Sequence, residues 1–327
     1  MTAIPFVRDL DVVHGRCDQV SPLVRRVVAD NPSLFTYLGT GTYLVGRGDV
    51  VVIDAGPALG AHVEAVLAAL EPGEHITDLV VTHTHTDHSP ATAMLQERTG
   101  APSWGFGPHG LVAPDDPTDR VEFGDPEADG EPKPERAAGA EAPEELREGA
   151  DLHFSPDHVL RHGDVLEGPG WTLEAVHTPG HTSNHLCLAL REERALFTGD
   201  HVMGWSTSVI GPPDGDLGQY LASLRLLLDR DDAVYWPTHG PPITDPRPFV
   251  RAFLDHRAER ERQVLDGLAA GPATLVELVP TIYADVAKGL WRPAAASTFA
   301  NLLKLVAEGV VVCDDDRPRR RSRYRLA

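Results

Sequence analysis

Residues 82–90 read THTHTDHSP, which places His83, His85, Asp87 and His88 within six positions. Donors at i, i+2, i+4 and i+5 fit neither one face of a helix nor the alternation of a strand. The spacing therefore demands an irregular turn. Upstream, ITDLVVTH is a short run with adjacent β-branched residues bounded by polar ones, which predicts a buried strand. Downstream, PATAMLQERTG opens with Pro90 and closes with Gly100, which predicts a helix. The cluster thus sits on a strand-to-helix loop, where open α/β architectures place their chemistry.

At 327 residues and 42% apolar content the chain can bury one large core or two smaller ones. The opening MTAIPFVRDLDVV reaches Arg8 and Asp9 before any apolar run develops, and no later stretch is long enough to span a bilayer. A cytoplasmic protein without membrane partners is expected. Cys17, Cys187 and Cys313 are scattered and form no CxxC pair, so neither a disulfide framework nor a thiolate metal site is implied. The net charge of −20 argues against general attraction to nucleic acid or anionic membrane. Half of that excess lies between Asp115 and Asp151, where fourteen acidic and four basic residues give −10. This segment reads as a solvated, mobile acidic insert. The tail is the opposite, with six arginines between Arg317 and Arg325.

Residues 36–56 predict two strands turned at Gly46, Arg47 and Gly48, followed by a helix in ALGAHVEAVLAAL. WTLEAVHT, HLCLAL and RALFTGD predict further strands, DLGQYLASLRLLLDR a periodic helix, and AVYWPTHGPP a strand ending in a loop. Two β-rich blocks with flanking helices imply an αββα sandwich. After Pro248 a helix to about Leu268, two more helices and a Gly-turned strand pair with a basic wing predict a winged-helix domain. The boundary is placed inside the linking helix, giving domains 1–255 and 256–327.

A metal site needs donors from several loops, and three later loops supply them: His181 in VHTPGHTSNH, Asp200 in LFTGDH and His239 in PTHGPP. Each follows a predicted strand and contains glycine, which lets side chain and backbone turn toward a common point. With the first cluster, the set is five histidines and two aspartates and no thiolate. Such an N/O set can hold two Zn2+, and iron or manganese also suits it.

HTHTDH, TPGH, TGD and THG, in this order, resemble the metallo-β-lactamase fold superfamily from about Tyr37 to Pro242, and the winged-helix ending resembles its β-lactamase-like protein 2 branch. The resemblance implies His83, His85 and His181 on one metal, Asp87, His88 and His239 on the other, and Asp200 bridging. Flavodiiron proteins of this fold usually carry Glu at the position of His85, which weighs against oxygen reduction. Two dications so placed hold a water as hydroxide near neutral pH and polarise a carbonyl or phosphoryl oxygen, with Asp87 able to orient the hydroxide.

Around these ligands, Asp54 at the end of VVVID either braces a ligand histidine by its free nitrogen or caps its own turn. His185 could touch substrate, protonate a leaving group or brace its loop. His177 and His201 flank ligand loops as supporting residues, Trp205 reads as core packing, and His109 as a surface or packing residue. The expected activity is that of a di-zinc hydrolase acting on a small acyl substrate, whether thioester, lactone or β-lactam. The alternative is a single-stranded RNA endonuclease, or a nucleic-acid-binding protein on a hydrolase scaffold. The winged helix is expected to pack on the hydrolase, to wall the cleft or to mediate a homodimer.

Overall fold

The computed structural model describes residues 4–110, 119, 121–123 and 149–327. The acidic insert therefore lies outside the described residues except near its two ends. The first sheet has the order β1 (Cys17–Gln19), β2 (Val24–Val28), β3 (Gly41–Val45), β4 (Asp49–Ile53), β5 (His75–Val80), β6 (Ser103–Gly105) and β7 (His158–Val159). Pairing is antiparallel from β1 to β4 and parallel from β4 to β7. The second sheet contains β8 (Val165–Gly168), β9 (Trp171–His177), β10 (Leu186–Leu190), β11 (Ala195–Gly199) and β12 (Val234–Pro237), in the order β12-β11-β10-β9-β8. All its pairs are antiparallel except β11 with β12.

Three apolar clusters turn these sheets into four layers. Tyr43, Val51, Ile53, Trp171, Leu188 and Phe197 pack between the sheets. The outer face of the first sheet is covered by α1 (Gly60–Ala68) and α2 (Ala91–Thr99) through Val63, Val66 and Leu95. That of the second is covered by α3 (Leu217–Leu228) and the first half of α4 (Pro246–Ala269) through Tyr220, Leu224 and Phe253. The architecture is the expected αββα sandwich, since each sheet has two apolar faces to bury and one helical layer to cover the outer one.

Local chemistry explains the helix ends nearest the site. Pro90 precedes α2, and Gly100 ends it in the left-handed region at φ 72°, where a side chain would be strained. Asp216 caps α3 by accepting from the Gln219 backbone N–H.

Beyond the sandwich, α4 continues without a break into a separate core with α5 (Leu275–Ile282), α6 (Trp291–Ala307) and the hairpin of β13 (Val311–Cys313) and β14 (Tyr324–Leu326). This is the winged-helix arrangement. It packs on the sandwich: Ala300 of α6 joins the apolar cluster under α3, and Arg320 donates to the Pro212 carbonyl while lying over the Phe299 ring. Val121 and Phe123, at the near end of the acidic segment, pack against the winged-helix core. Among the described residues no helix is long and apolar enough to cross a membrane.

Candidate metal centre

Strands β4, β5, β9, β11 and β12 all point their C-terminal ends to one edge of the sandwich, by the parallel and antiparallel pairings above. The loops leaving four of them, 82–88, 178–185, 200–210 and 238–241, converge there. They bring His83, His85 and His181 into one group, Asp87, His88 and His239 into a second, and His83, His88 and Asp200 into a third, with the ligand atoms of each group within 4.8 Å of one another. All seven donors expected from the motifs thus meet at one place. Asp200 lies between the two sides: one carboxylate oxygen is 3.4 Å from His239 Nε2 and 3.7 Å from His88 Nε2, and the other is 3.9 Å from His181 Nε2.

The donor set fits divalent cations. His88 Nε2 and Asp200 Oδ1 are buried and have no hydrogen-bond partner among the described residues. His83 Nε2 and His181 Nε2 both lie 3.1 Å from His85 Nδ1, an arrangement of three nitrogens that protons alone satisfy poorly. Meanwhile the opposite ring nitrogens are engaged by the protein. His88 Nδ1 donates to Asp54 at 2.9 Å, His181 Nδ1 to the Val209 carbonyl at 2.7 Å, and His239 Nδ1 to the Gly39 carbonyl at 3.3 Å. Holding Nδ1–H on an acceptor points Nε2 into the cluster.

Asp54 braces the site. Fully buried and at φ 52°, it accepts from His88 Nδ1, the Thr82 backbone N–H and hydroxyl, and the Thr238 hydroxyl. One carboxylate therefore ties loop 82–88 to loop 238–241. Asp87 is oriented from another direction: Thr40 donates to it at 3.1 Å and in turn accepts from Asn31 at 2.9 Å. No motif marked Asn31 or Thr40, because neither is a metal donor.

Electrostatics divides the seven ligands. Burial lowers His83, His85 and His181, and the neighbouring imidazoles deepen the effect for His83 and His85, so these rings are neutral with lone pairs available. Burial also opposes the charge on His88 and His239, but the nearby aspartates outweigh it, raising His88 well above the ordinary range and His239 to about 10. The Asp87 and Asp200 carboxyls, which burial would raise, are held well below the usual range by the same two histidines.

The structure gives three residues around the ligands a definite place. His185 does not face the site as a proton donor: it is fully buried, with Nδ1 2.9 Å from the Thr178 hydroxyl and Nε2 accepting from the Asp200 backbone N–H at 3.2 Å. It braces the loop, the last of its three expected roles. Gly199 permits this contact, since a Cβ there would fall 2.6 Å from His185 Nε2. Trp205 lies outside the apolar clusters, half-buried, stacked on Tyr37 at 4.8 Å and packed over Gly240, beside His239. His109 is no simple surface residue, because its Nδ1 is 3.0 Å from the Thr84 hydroxyl and its ring 6.5 Å from that of His85. His177 and His201 support their loops, the first through the Ser183 carbonyl and a stack on Phe106, the second through an edge contact with Tyr220.

A sandwich of this topology with this donor set defines a class: the chain belongs to the metallo-β-lactamase superfamily, whose family model matches residues 37–239, and is a hydrolase of that superfamily. Residues 274–321 match the beta-lactamase associated winged helix domain. The chain is 29% identical over 312 residues to an atrochrysone carboxyl ACP thioesterase of Aspergillus novofumigatus, covering 91% of this chain and 83% of that protein. It is also 29% identical over 298 residues to a beta-lactamase-like protein 2 homolog of Caenorhabditis elegans, covering 90% of this chain and 88% of that one. Among solved structures, a beta-lactamase domain protein from Burkholderia ambifaria superposes with a TM-score of 0.74 at 20% identity, over 98% of this chain and 96% of that one.

Proposed function

We propose that the chain is a di-zinc hydrolase of small acyl substrates, with a thioester as the preferred class and lactones and β-lactams as related carbonyl substrates. The observation that carries this reading is the convergence of two donor groups with Asp200 between them. His83, His85 and His181 would hold one cation, Asp87, His88 and His239 the other, and Asp200 would be shared. Two bound dications supply a readily ionised water and a positive charge for the acyl oxygen.

The protein's own part is to hold this arrangement still. Asp54 fixes His88 in the tautomer that presents Nε2, and Asn31 and Thr40 fix Asp87. A thiol leaves as thiolate with a pKa near about 8.5 and needs no proton from the protein, whereas an amine does. The thioester reading agrees with the burial of His185, whose two ring nitrogens are both engaged elsewhere. It also agrees with the similarity to a protein named as an ACP thioesterase. We place the enzyme in the cytoplasm, where its three free cysteines would remain reduced.

The test is a substrate panel of an acyl thioester, a lactone, a β-lactam and a short single-stranded RNA, assayed with zinc-loaded wild type and Asp200→Asn. Thioester turnover should be fastest, and the variant should lose about two to three orders of magnitude. Faster cleavage of RNA than of any acyl compound, or wild-type turnover by Asp200→Asn, would refute the proposal.

A further inference from the structure

Arg257 is 4% exposed in the middle of α4, the helix that leads from the sandwich to the winged helix, and no carboxylate pairs with it among the described residues. A buried cation without a counter-ion is costly, and an apolar side chain of similar length would avoid the cost. Its guanidinium instead donates to the Ser208 carbonyl and lies over the Tyr220 ring at 5.0 Å.

Both contacts lead to the ligand loops. The Ser208 hydroxyl lies 2.5 Å from the Asp200 carbonyl, to which it donates, and 2.9 Å from that of His201. The Tyr220 hydroxyl donates to the same His201 carbonyl at 2.7 Å. Val209, next to Ser208, carries the carbonyl that holds His181 Nδ1. Gly180, just before His181, meets the Tyr220 backbone so closely that a Cβ would fall 2.3 Å from Tyr220 Cα. Arg257 and Tyr220 thus form one support for the backbone of Asp200 and for the ring of His181.

We propose that Arg257 is a positioning residue for the metal centre, through which the helix entering the winged-helix domain sets the cation position that contains His181. The inference rests on the metal reading of the site. The opposite position, with His88 and His239, is braced independently by Asp54. Loss of Arg257 should therefore weaken the two positions unequally.

The experiment titrates metal-free full-length protein with Zn2+ against a chromophoric chelator, at a temperature where each variant is folded by circular dichroism. Wild type should take up two ions. In Arg257→Met one affinity should fall at least about tenfold while the other stays within about threefold. Arg257→Lys, which keeps the charge, should recover part of the loss. Combining Arg257→Met with His181→Ala should add less than about threefold to the loss caused by His181→Ala alone, because the two act on one position. Arg323→Gln, a winged-helix change on a side chain whose bonds among the described residues go to Pro272 and Glu277, is the control and should leave both affinities unchanged.

If Arg257→Met does not fold, Arg257→Lys and Tyr220→Phe carry the test, with Tyr220→Phe expected to weaken the same single affinity. Two unchanged affinities, or an equal fall in both alongside a lower melting temperature, would show that Arg257 only packs and would overturn the inference. Failure of wild type itself to bind metal would instead overturn the reading on which it rests.

Discussion

On the side of the centre built from His88 and His239, a single buried carboxylate at the end of a neighbouring strand ties two ligand loops together. On the side built from His181 and Asp200, the support comes from the Val209 carbonyl and Ser208 hydroxyl of the 200–210 loop, backed by the Tyr220 hydroxyl of α3 and the Arg257 guanidinium of α4. Asp87 and Asp200, with Asp54 behind His88, raise the proton affinity of His88 and His239 in the metal-free chain. The second side leaves His181 neutral. A cation meets open lone pairs at His83, His85 and His181, but must displace protons at His88 and His239. Unequal bracing thus becomes unequal chemistry within one cluster.

The largest expected effect breaks the carboxylate-braced side. Asn in place of Asp54 cannot accept from His88, Thr82 and Thr238 together, which leaves buried donors unsatisfied at a cost of about 1–3 kcal/mol each. Asp54→Asn should lose roughly 10- to 100-fold in one metal affinity, and should be less stable in urea even without metal. Metal affinities equal to those of wild type would show that Asp54 caps its own turn and nothing more.

A smaller effect concerns the residue behind Asp54. The Thr42 hydroxyl donates to the Asp54 carbonyl and lies 2.8 Å from His62 Nε2, and burial lowers His62 to about 4. Unfolded, His62 titrates near about 6.5. Its folded value is the lower one, so its contribution to stability is complete above pH 6.5 and is lost as pH falls toward 4. His62→Gln should flatten the acid limb of metal-free stability over that window by up to about 1.4 kcal/mol per pH unit, as read by urea melts. An unaltered slope would mean that His62 is not held neutral in the folded chain.

The smallest effect is expected at the tail, far from both braces. Arg317, Arg319 and Arg325 are exposed, while Arg320 and Arg323 are already engaged with carbonyls. Changing Arg317, Arg319 and Arg325 together to Gln should leave turnover of a small thioester within about twofold across a salt series, since solvent screens distant surface charge. A greater loss on that substrate would show that the wing walls the cleft.

Much of the centre was legible because its donors occupy short strings at strand ends, where a histidine or aspartate of the right spacing is itself the signal. Strand β2 was not legible. Its sequence VRRVV carries adjacent arginines that look solvent-facing, yet both are buried. Arg25 reaches Glu74 at 2.6 Å and the carbonyls of Ala69 and Gly46, partners supplied from elsewhere in the chain. The short strands β6 and β7 are illegible in sequence for a related reason, because two or three residues carry no period and are strands only through their neighbours. Asn31, Thr40 and Arg257 read as ordinary polar residues until the loops they orient are seen beside them.

The sequence by itself determined the atoms available to a metal, since nitrogen and oxygen donors are properties of residue type and their loops follow from local strand and turn chemistry. Only the tertiary structure decided which nitrogen of each ring faces the cluster, which rings carry protons, and that His185 lies behind the ligands. Those properties depend on carboxylates and carbonyls as remote as Asp54 from Thr238 and Arg257 from Ser208, and on burial that strengthens their fields.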